Sequence, residues 1–309
     1  MKEKVIRIGG KEISRKGKVG LALSGGGLRG LAHIGVLKVL LDNNIPIDMI
    51  AGTSAGAIIA AMYAAGYTPG AMQAIAEKVD LSSLIDLRVT VGDLVKHGTH
   101  WLLGGKFKLS VLPSGLIKGD KIEKYLEDLL QWRTVHDTCI PLAITAVDIN
   151  SGDTVFFTTP SVGRSGIKNA RFYHNSLLSD AVRASISIPG IFFPKKYRGM
   201  TLVDGAVKNN LPTDILRYMG ADVVIGVDLG YSGQPNQDIK SVGEILLQCI
   251  DIMGREVTLL KGQEYADIVL RPMTNDIVFK DARQIVVCIG RGAEITWEKV
   301  NEIKSIVPR

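Results

Sequence analysis

The sequence predicts an α/β domain built on parallel strands, and three observations carry that reading. Apolar runs of strand length recur along the chain, at residues 19–23, 47–51, 141–148, 221–229 and 266–270. Segments between them carry the three-to-four-residue spacing of helices with an apolar face. The first two strands lead into helices through glycine-bracketed turns, Gly25-Gly26-Gly27-Leu28-Arg29-Gly30 and Gly52-Thr53-Ser54-Ala55-Gly56. A strand–turn–helix unit used twice in succession implies parallel strands joined by right-handed crossovers.

Residues 19–23 are short and wholly apolar, as a buried strand requires. After the glycine loop, Leu31, Ile34, Leu37, Val39, Leu40 and Leu41 cover a broad helix face, which Asp42-Asn43-Asn44 ends. Residues 47–51 read as the second strand and 55–65 as a second helix closed by Gly66. No charge falls between Met49 and Ala76, a length that would span a bilayer by count. Gly52, Gly56, Gly66, Pro69 and Gly70 interrupt it, so a buried strand, a turn and a buried helix account for it better. Residues 80–119 are irregular and include His97, His100 and Trp101. An amphipathic helix follows at 121–132, a strand at 141–148 and its antiparallel partner at 153–158. A short helix at 179–185 runs toward Ile188-Pro189-Gly190, and Thr201-Leu202-Val203 leads into Asp204-Gly205-Ala206. Strands at 221–229 and 266–270 and helices near 240–262 and 282–306 complete the layers.

The 309 residues are 46% hydrophobic and 22% charged, an ordinary globular balance with no repeat or low-complexity linker, which favours one domain. The net charge of +6 is concentrated: residues 1–18 carry seven basic and two acidic side chains, leaving 30 basic and 29 acidic elsewhere. Alternation around Gly9-Gly10 reads as a solvated hairpin, with peripheral contact to anionic membrane lipid as the alternative. Nucleic acid is not expected as a partner, because no basic stripe interleaved with aromatics occurs. Cys139, Cys249 and Cys288 are odd in number and far apart, which fits a reducing, cytoplasmic setting and no metal site. The first residues lack the apolar core of a signal peptide, which points the same way.

Gly25–Gly30 offers free main-chain N–H groups at the start of a helix, where an oxyanion or a phosphate is welcome. The pattern also matches a dinucleotide fingerprint. That fingerprint wants an acidic residue at the end of the second strand, whereas Asp48 lies at its start. In the second turn Ser54 sits between strand and helix, where a sharp elbow exposes a serine hydroxyl. Gly52 and Gly56 remove side chains that would collide across it. A serine nucleophile needs a base. A histidine triad in the order serine, acid, histidine would have to draw on His136 or His174. His33 precedes the serine and reads as a packed residue. An aspartate at a strand end is the other choice, and spacing alone does not separate Asp204 from Asp148 or Asp228.

These residues resemble the patatin-like phospholipases: the glycine loop at 25–30, Gly-Thr-Ser-Ala-Gly at 52–56 and Asp-Gly-Ala at 204–206, in that order. Ala32–Leu37, Ala184–Gly190 and Asn209–Pro212 add to the likeness, which covers about residues 19–215. The compact bacterial members, close to the catalytic domains of neuropathy-target-esterase-type lysophospholipases, are the most similar. The resemblance implies a three-layer α/β/α domain with a mainly parallel central sheet. It implies a Ser54–Asp204 dyad, with Gly25, Gly26, Gly27, Arg29 and Gly30 around the oxyanion and substrate, and Gly52, Gly56 and Gly205 as motif support. Arg29 either touches a lipid phosphate or forms a surface ion pair.

The expected function is serine acyl hydrolysis of phospholipids or lysophospholipids through an acyl-enzyme, with no cofactor and no metal. A non-catalytic acyl-lipid-binding regulator and an acyltransferase are the rivals. The expected organisation is a basic segment at 1–18, a catalytic region at 19–215 and completion of the same domain by 216–309. Residues 80–119 are either an ordinary packed segment or a lid. A monomer and a dimer both fit the sequence.

Overall fold

The computed structural model describes residues 6–8, 11–13, 17–87, 114–160, 166–230, 241–274, 276–277 and 283–308. Strands β1 (Ile6–Ile8) and β2 (Lys11–Ile13) pair antiparallel as a separate two-stranded sheet. β3 (Val19–Leu23) leads through a 3₁₀ turn at Gly27–Leu31 into α1 (Ala32–Asp42). β4 (Met49–Thr53) leads directly into α2 (Ala55–Ala64), and α3 (Pro69–Lys78) follows. After α4 (Asp120–Leu129) come β5 (Leu142–Asp148), β6 (Thr154–Thr158) and β7 (Ala170–Tyr173). Then follow α5 (Leu178–Ser185), β8 (Lys195–Tyr197), β9 (Met200–Asp204), the short α6 (Ala206–Asn209) and α7 (Thr213–Tyr218). β10 (Val223–Val227), α8 (Val242–Tyr265), β11 (Ile268–Leu270) and α9 (Arg283–Ile306) end the chain. Of the segment 80–119, read as either an ordinary packed segment or a lid, residues 88–113 with His97, His100 and Trp101 lie outside the described residues.

Among the described residues nine strands form one sheet, in which β11, β10, β3, β4 and β5 lie side by side and parallel. Every residue of β3, β4, β5 and β10 is buried, as expected of parallel strands covered on both faces. Alternation sorts their side chains. Val19, Leu21, Leu23, Ile50, Leu142, Ile144, Ile225 and Val227 enter the larger core beneath α1, α2, α5 and α9. Ala22, Met49, Ala51, Ala143 and Val224 enter a smaller core on the α7 face. β10 pairs with β3 on one side and β11 on the other, and α9 packs on α1. α9 crosses α1 with main chains in contact, because a Cβ on Gly35 would stand 1.9 Å from the Ile289 carbonyl oxygen.

The second strand starts and ends two residues later than its apolar run. Asp48 acts before it: its main-chain N–H donates to the Val19 carbonyl and its carboxylate accepts the Val19 N–H at 2.7 Å. The strand then runs through Gly52 and Thr53 to the elbow itself.

Candidate active site

The register along β5 assembles the site. β4 lies parallel to β5, ending with Thr53 opposite Thr145. β9 lies antiparallel to β5 with Asp204 opposite Ala146. β6 occupies the other edge of β5 over residues 143–147, so β4 and β9 share one edge and point at each other, end to end. Two strands 150 positions apart in sequence therefore bring Ser54 and Asp204 to adjacent steps of a third.

Ser54 adopts φ 54° and ψ −123° at the first turn of α2. A non-glycine residue held there stores on the order of 1–3 kcal/mol of strain. The turn can be this sharp because a Cβ on Gly52 would lie 2.4 Å from the Gly56 carbonyl oxygen, and one on Gly56 would lie 2.3 Å from that of Leu23. The Ser54 N–H donates to the Ser185 hydroxyl at 2.8 Å, and the Thr53 hydroxyl donates to the Asn209 carbonyl at 2.9 Å. On the opposing strand tip, Gly205 is equally confined, with the Thr145 carbonyl oxygen 2.4 Å from where its Cβ would be.

The Ser54 hydroxyl lies beside the Asp204 carboxylate, close enough to lower its pKa, and Asp204 accepts the Ala206 N–H at 2.8 Å. Burial raises Asp204 to a pKa of about 7. Those two contacts pull it back, and the charge of Asp251 adds to the rise. The pair sits at one side of a cavity of about 280 Å³, with Ser54 5% and Asp204 3% exposed.

The glycine loop lies directly against Ser54: a Cβ on Gly25 would be 3.0 Å from that of the serine. The Gly25 N–H is taken by the Asn210 side-chain oxygen at 3.0 Å. The N–H groups of Gly26 and Gly27 have no hydrogen-bond partner among the described residues, and both residues line the cavity. They stand at the start of the 3₁₀ turn, whose first donors have no partner within it. Arg29 lines the cavity and donates to the Gly26 carbonyl at 3.3 Å. Gly30 is buried and meets Ala55 of α2, so it packs the loop on that helix rather than facing the cavity.

Asn210, Ser185 and the α8 residues Leu247, Ile250, Asp251, Gly254 and Arg255 were given no role by sequence reasoning. The spacing of the α8 set is that of one helix face, a signal present in the sequence without an address. Among the described residues no histidine lines the cavity. His33 is fully buried with Nε2 on the Ser24 carbonyl at 2.8 Å, and burial lowers its pKa to about 4. His136 is exposed, and His174 is exposed with Nδ1 on the Thr158 carbonyl. No group of ligands able to hold a metal ion occurs among the described residues.

Among solved structures, VipD from Legionella pneumophila aligns with a TM-score of 0.49 and 12% identity over 94% of this chain and 67% of that one. YqhO of Bacillus subtilis is 33% identical over 235 residues, covering 72% of this chain and 75% of that protein. Human patatin-like phospholipase domain-containing protein 6 is 30% identical over 230 residues, or 74% of this chain. The chain spans only 14% of the length of that human relative. The family profile described as patatin-like phospholipase matches residues 21–217, which include Ser54, Asp204 and the whole glycine loop. The chain belongs to the patatin-like phospholipase family.

Proposed function

We propose that the protein is a serine carboxylester hydrolase of phospholipids or lysophospholipids. The observation that carries the reading is the Ser54 hydroxyl beside the buried Asp204 carboxylate, next to the Gly26 and Gly27 N–H groups, which have no hydrogen-bond partner among the described residues. Ser54 Oγ attacks the ester carbonyl while its proton passes to Asp204. The Gly26 and Gly27 N–H groups receive the negative charge that develops on the carbonyl oxygen. The tetrahedral intermediate collapses to an acyl-serine, and the leaving alcohol takes the proton from Asp204. Water then adds with Asp204 as base, and fatty acid leaves. Ile188, Pro189, Ile191, Leu247 and Ile250 give the acyl chain an apolar wall.

The test is turnover of a lysophospholipid and a short-chain nitrophenyl ester, with EDTA present, alongside labelling of Ser54 by a fluorophosphonate. Labelling without turnover of any ester would replace this reading with a regulator. Products that appear only with an added alcohol or thiol acceptor would replace it with an acyltransferase. His174→Ala is expected to keep kcat/KM within about two-fold, since surface changes away from a site have small effects. A loss comparable to that of Ser54→Ala would bring the triad back.

We also place the enzyme at a lipid surface through α8. One face of this helix lines the cavity, and its other face leaves Ile245 51%, Leu246 59% and Met253 61% exposed. The apolar face thus adjoins the cavity wall from which an acyl chain would enter. No helix among the described residues is long and apolar enough to cross a membrane, so contact through this face is peripheral. Leu246→Asp combined with Met253→Asp is expected to lower turnover of vesicle-embedded substrate by roughly ten-fold or more, given the energy of burying two such side chains. Turnover of the soluble ester stays unchanged. Equal vesicle rates for variant and wild type would remove α8 from the interface.

A further inference from the structure

The two strand tips that meet on β5 are both held by the C-terminal end of α5. Ser185 is fully buried there. Its hydroxyl accepts the Ser54 N–H at 2.8 Å and donates to the Thr145 carbonyl at 2.7 Å. Thr145 is the β5 residue opposite Thr53, one step from the residue opposite Asp204. Two residues beyond Ser185, the Ser187 carbonyl accepts the Asp204 N–H at 2.9 Å. Ser187 is itself fixed from two sides, by Arg183 Nη1 at 2.7 Å and by its own hydroxyl on the Arg183 carbonyl at 2.8 Å. Arg183 reaches the Gly119 carbonyl at 3.1 Å and that of Phe193 at 3.0 Å. One turn of chain therefore sets the relative position of the two groups at the site.

At the elbow, the Ser54 N–H has left the strand and lies too early in α2 to find a partner within the helix. A neighbouring side chain has to supply one, because the position is buried. A left-handed conformation at a serine persists only where its surroundings over-determine it. Ser185 supplies that partner and uses both of its own hydrogen-bonding roles to do so, so the contact has one geometry. Ser185 does not line the cavity.

We propose that Ser185 is a positioning residue for the hydrolytic reaction: its hydroxyl clamps the Ser54 main chain to β5 in the elbow conformation and thereby aims Ser54 Oγ at Asp204. The proposal rests on the Ser54–Asp204 reading above. A misplacement of about 1 Å at a reacting atom typically costs on the order of 10² in rate.

The experiment compares Ser185→Ala, Ser185→Cys and Ser185→Thr with wild type, by thermal melting, fluorophosphonate labelling rate, kcat, KM and the pH profile of kcat/KM. In folded Ser185→Ala, labelling and kcat are expected to fall by about 10²-fold with KM unchanged. The acidic limb of the profile moves to higher pH, because the Ser54 hydrogen bond that holds the Asp204 carboxyl down is weakened. Ser185→Thr keeps the hydroxyl and restores most of the rate and the position of the limb. Ser185→Cys keeps the volume with a weak acceptor and follows Ser185→Ala, which keeps the test decisive if the alanine variant does not fold. A lower melting temperature with wild-type labelling rate and pH limb, in either variant, overturns the positioning role and leaves only a structural one. Wild-type turnover in Asp204→Asn overturns the dyad and this proposal together. Inactive Asp204→Asn beside kinetically normal Ser185→Ala overturns this proposal alone.

Discussion

Ser54→Ala and Asp204→Asn each lower kcat/KM for a short-chain ester by on the order of 10⁴-fold, and the double variant is no slower than the slower single one. The serine hydroxyl is a weak nucleophile until a base takes its proton, and the base has no other use in the first step. Removing either group removes the same event, so the two losses do not add. Asp204→Asn is the sharper test because it preserves shape. The amide oxygen still accepts the Ala206 N–H, while the amide nitrogen faces the serine and takes no proton. Rate remaining above background is expected from the Gly26 and Gly27 N–H groups, which no side-chain substitution removes. Fully additive losses in the double variant, or an Asp204→Asn enzyme within ten-fold of wild type, would show that the carboxylate is not the base.

Why the sequence pointed to Ser54 with more force than to Asp204 is a matter of range. The elbow is local: Gly52, Ser54 and Gly56 lie within five positions, and the collisions that demand glycine involve the turn and the adjoining end of β3. The choice of carboxylate is not local. Asp148, Asp204 and Asp228 all stand at or just past strand ends. Only the pairing of β9 with β5 puts one of them beside the serine. The others have different work. Asp148 accepts the Ser151 hydroxyl at 2.9 Å and the Thr201 N–H at 3.2 Å. Asp228 accepts the Gly230 N–H and meets Arg271 at 3.4 Å. The same limit hid Asn210 and Ser185, which lie inside recognisable sequence blocks but act across separations of 185 and 131 residues.

The strand and helix alternation was legible because buried parallel strands are continuous apolar runs. α3 was passed over, although Thr68 caps it and Pro69 occupies its first turn, a local start signal sitting in an uncharged stretch. α8 was legible as a helix, but its role at the cavity was not, because its apolar residues lie on both faces.

Asp204 also fixes a pH dependence in which activity and stability run in opposite directions. The base must be ionised, and burial raises it to about 7, so kcat/KM is expected to fall about ten-fold per pH unit below that value and to level off above it. Removing the Asp251 charge relieves part of the rise, so Asp251→Asn moves the limb toward lower pH. Stability has the reverse sign. A carboxyl whose pKa is higher in the folded than in the unfolded chain binds its proton more tightly when folded. Its contribution is complete below the unfolded value, near 3.8, and is lost as pH rises through about 7. At pH 8 the folded protein holds a buried anion at a disadvantage on the order of a few kcal/mol. Asp204→Asn removes that charge while keeping the Ala206 hydrogen bond. The inactive variant is therefore expected to melt several degrees above wild type at pH 8, with the difference closing toward pH 4. Thermal melts across that range decide it: an Asp204→Asn protein less stable than wild type at pH 8 would mean that the carboxylate is stabilised where it stands, and a base with so low a pKa would leave activity flat through neutrality.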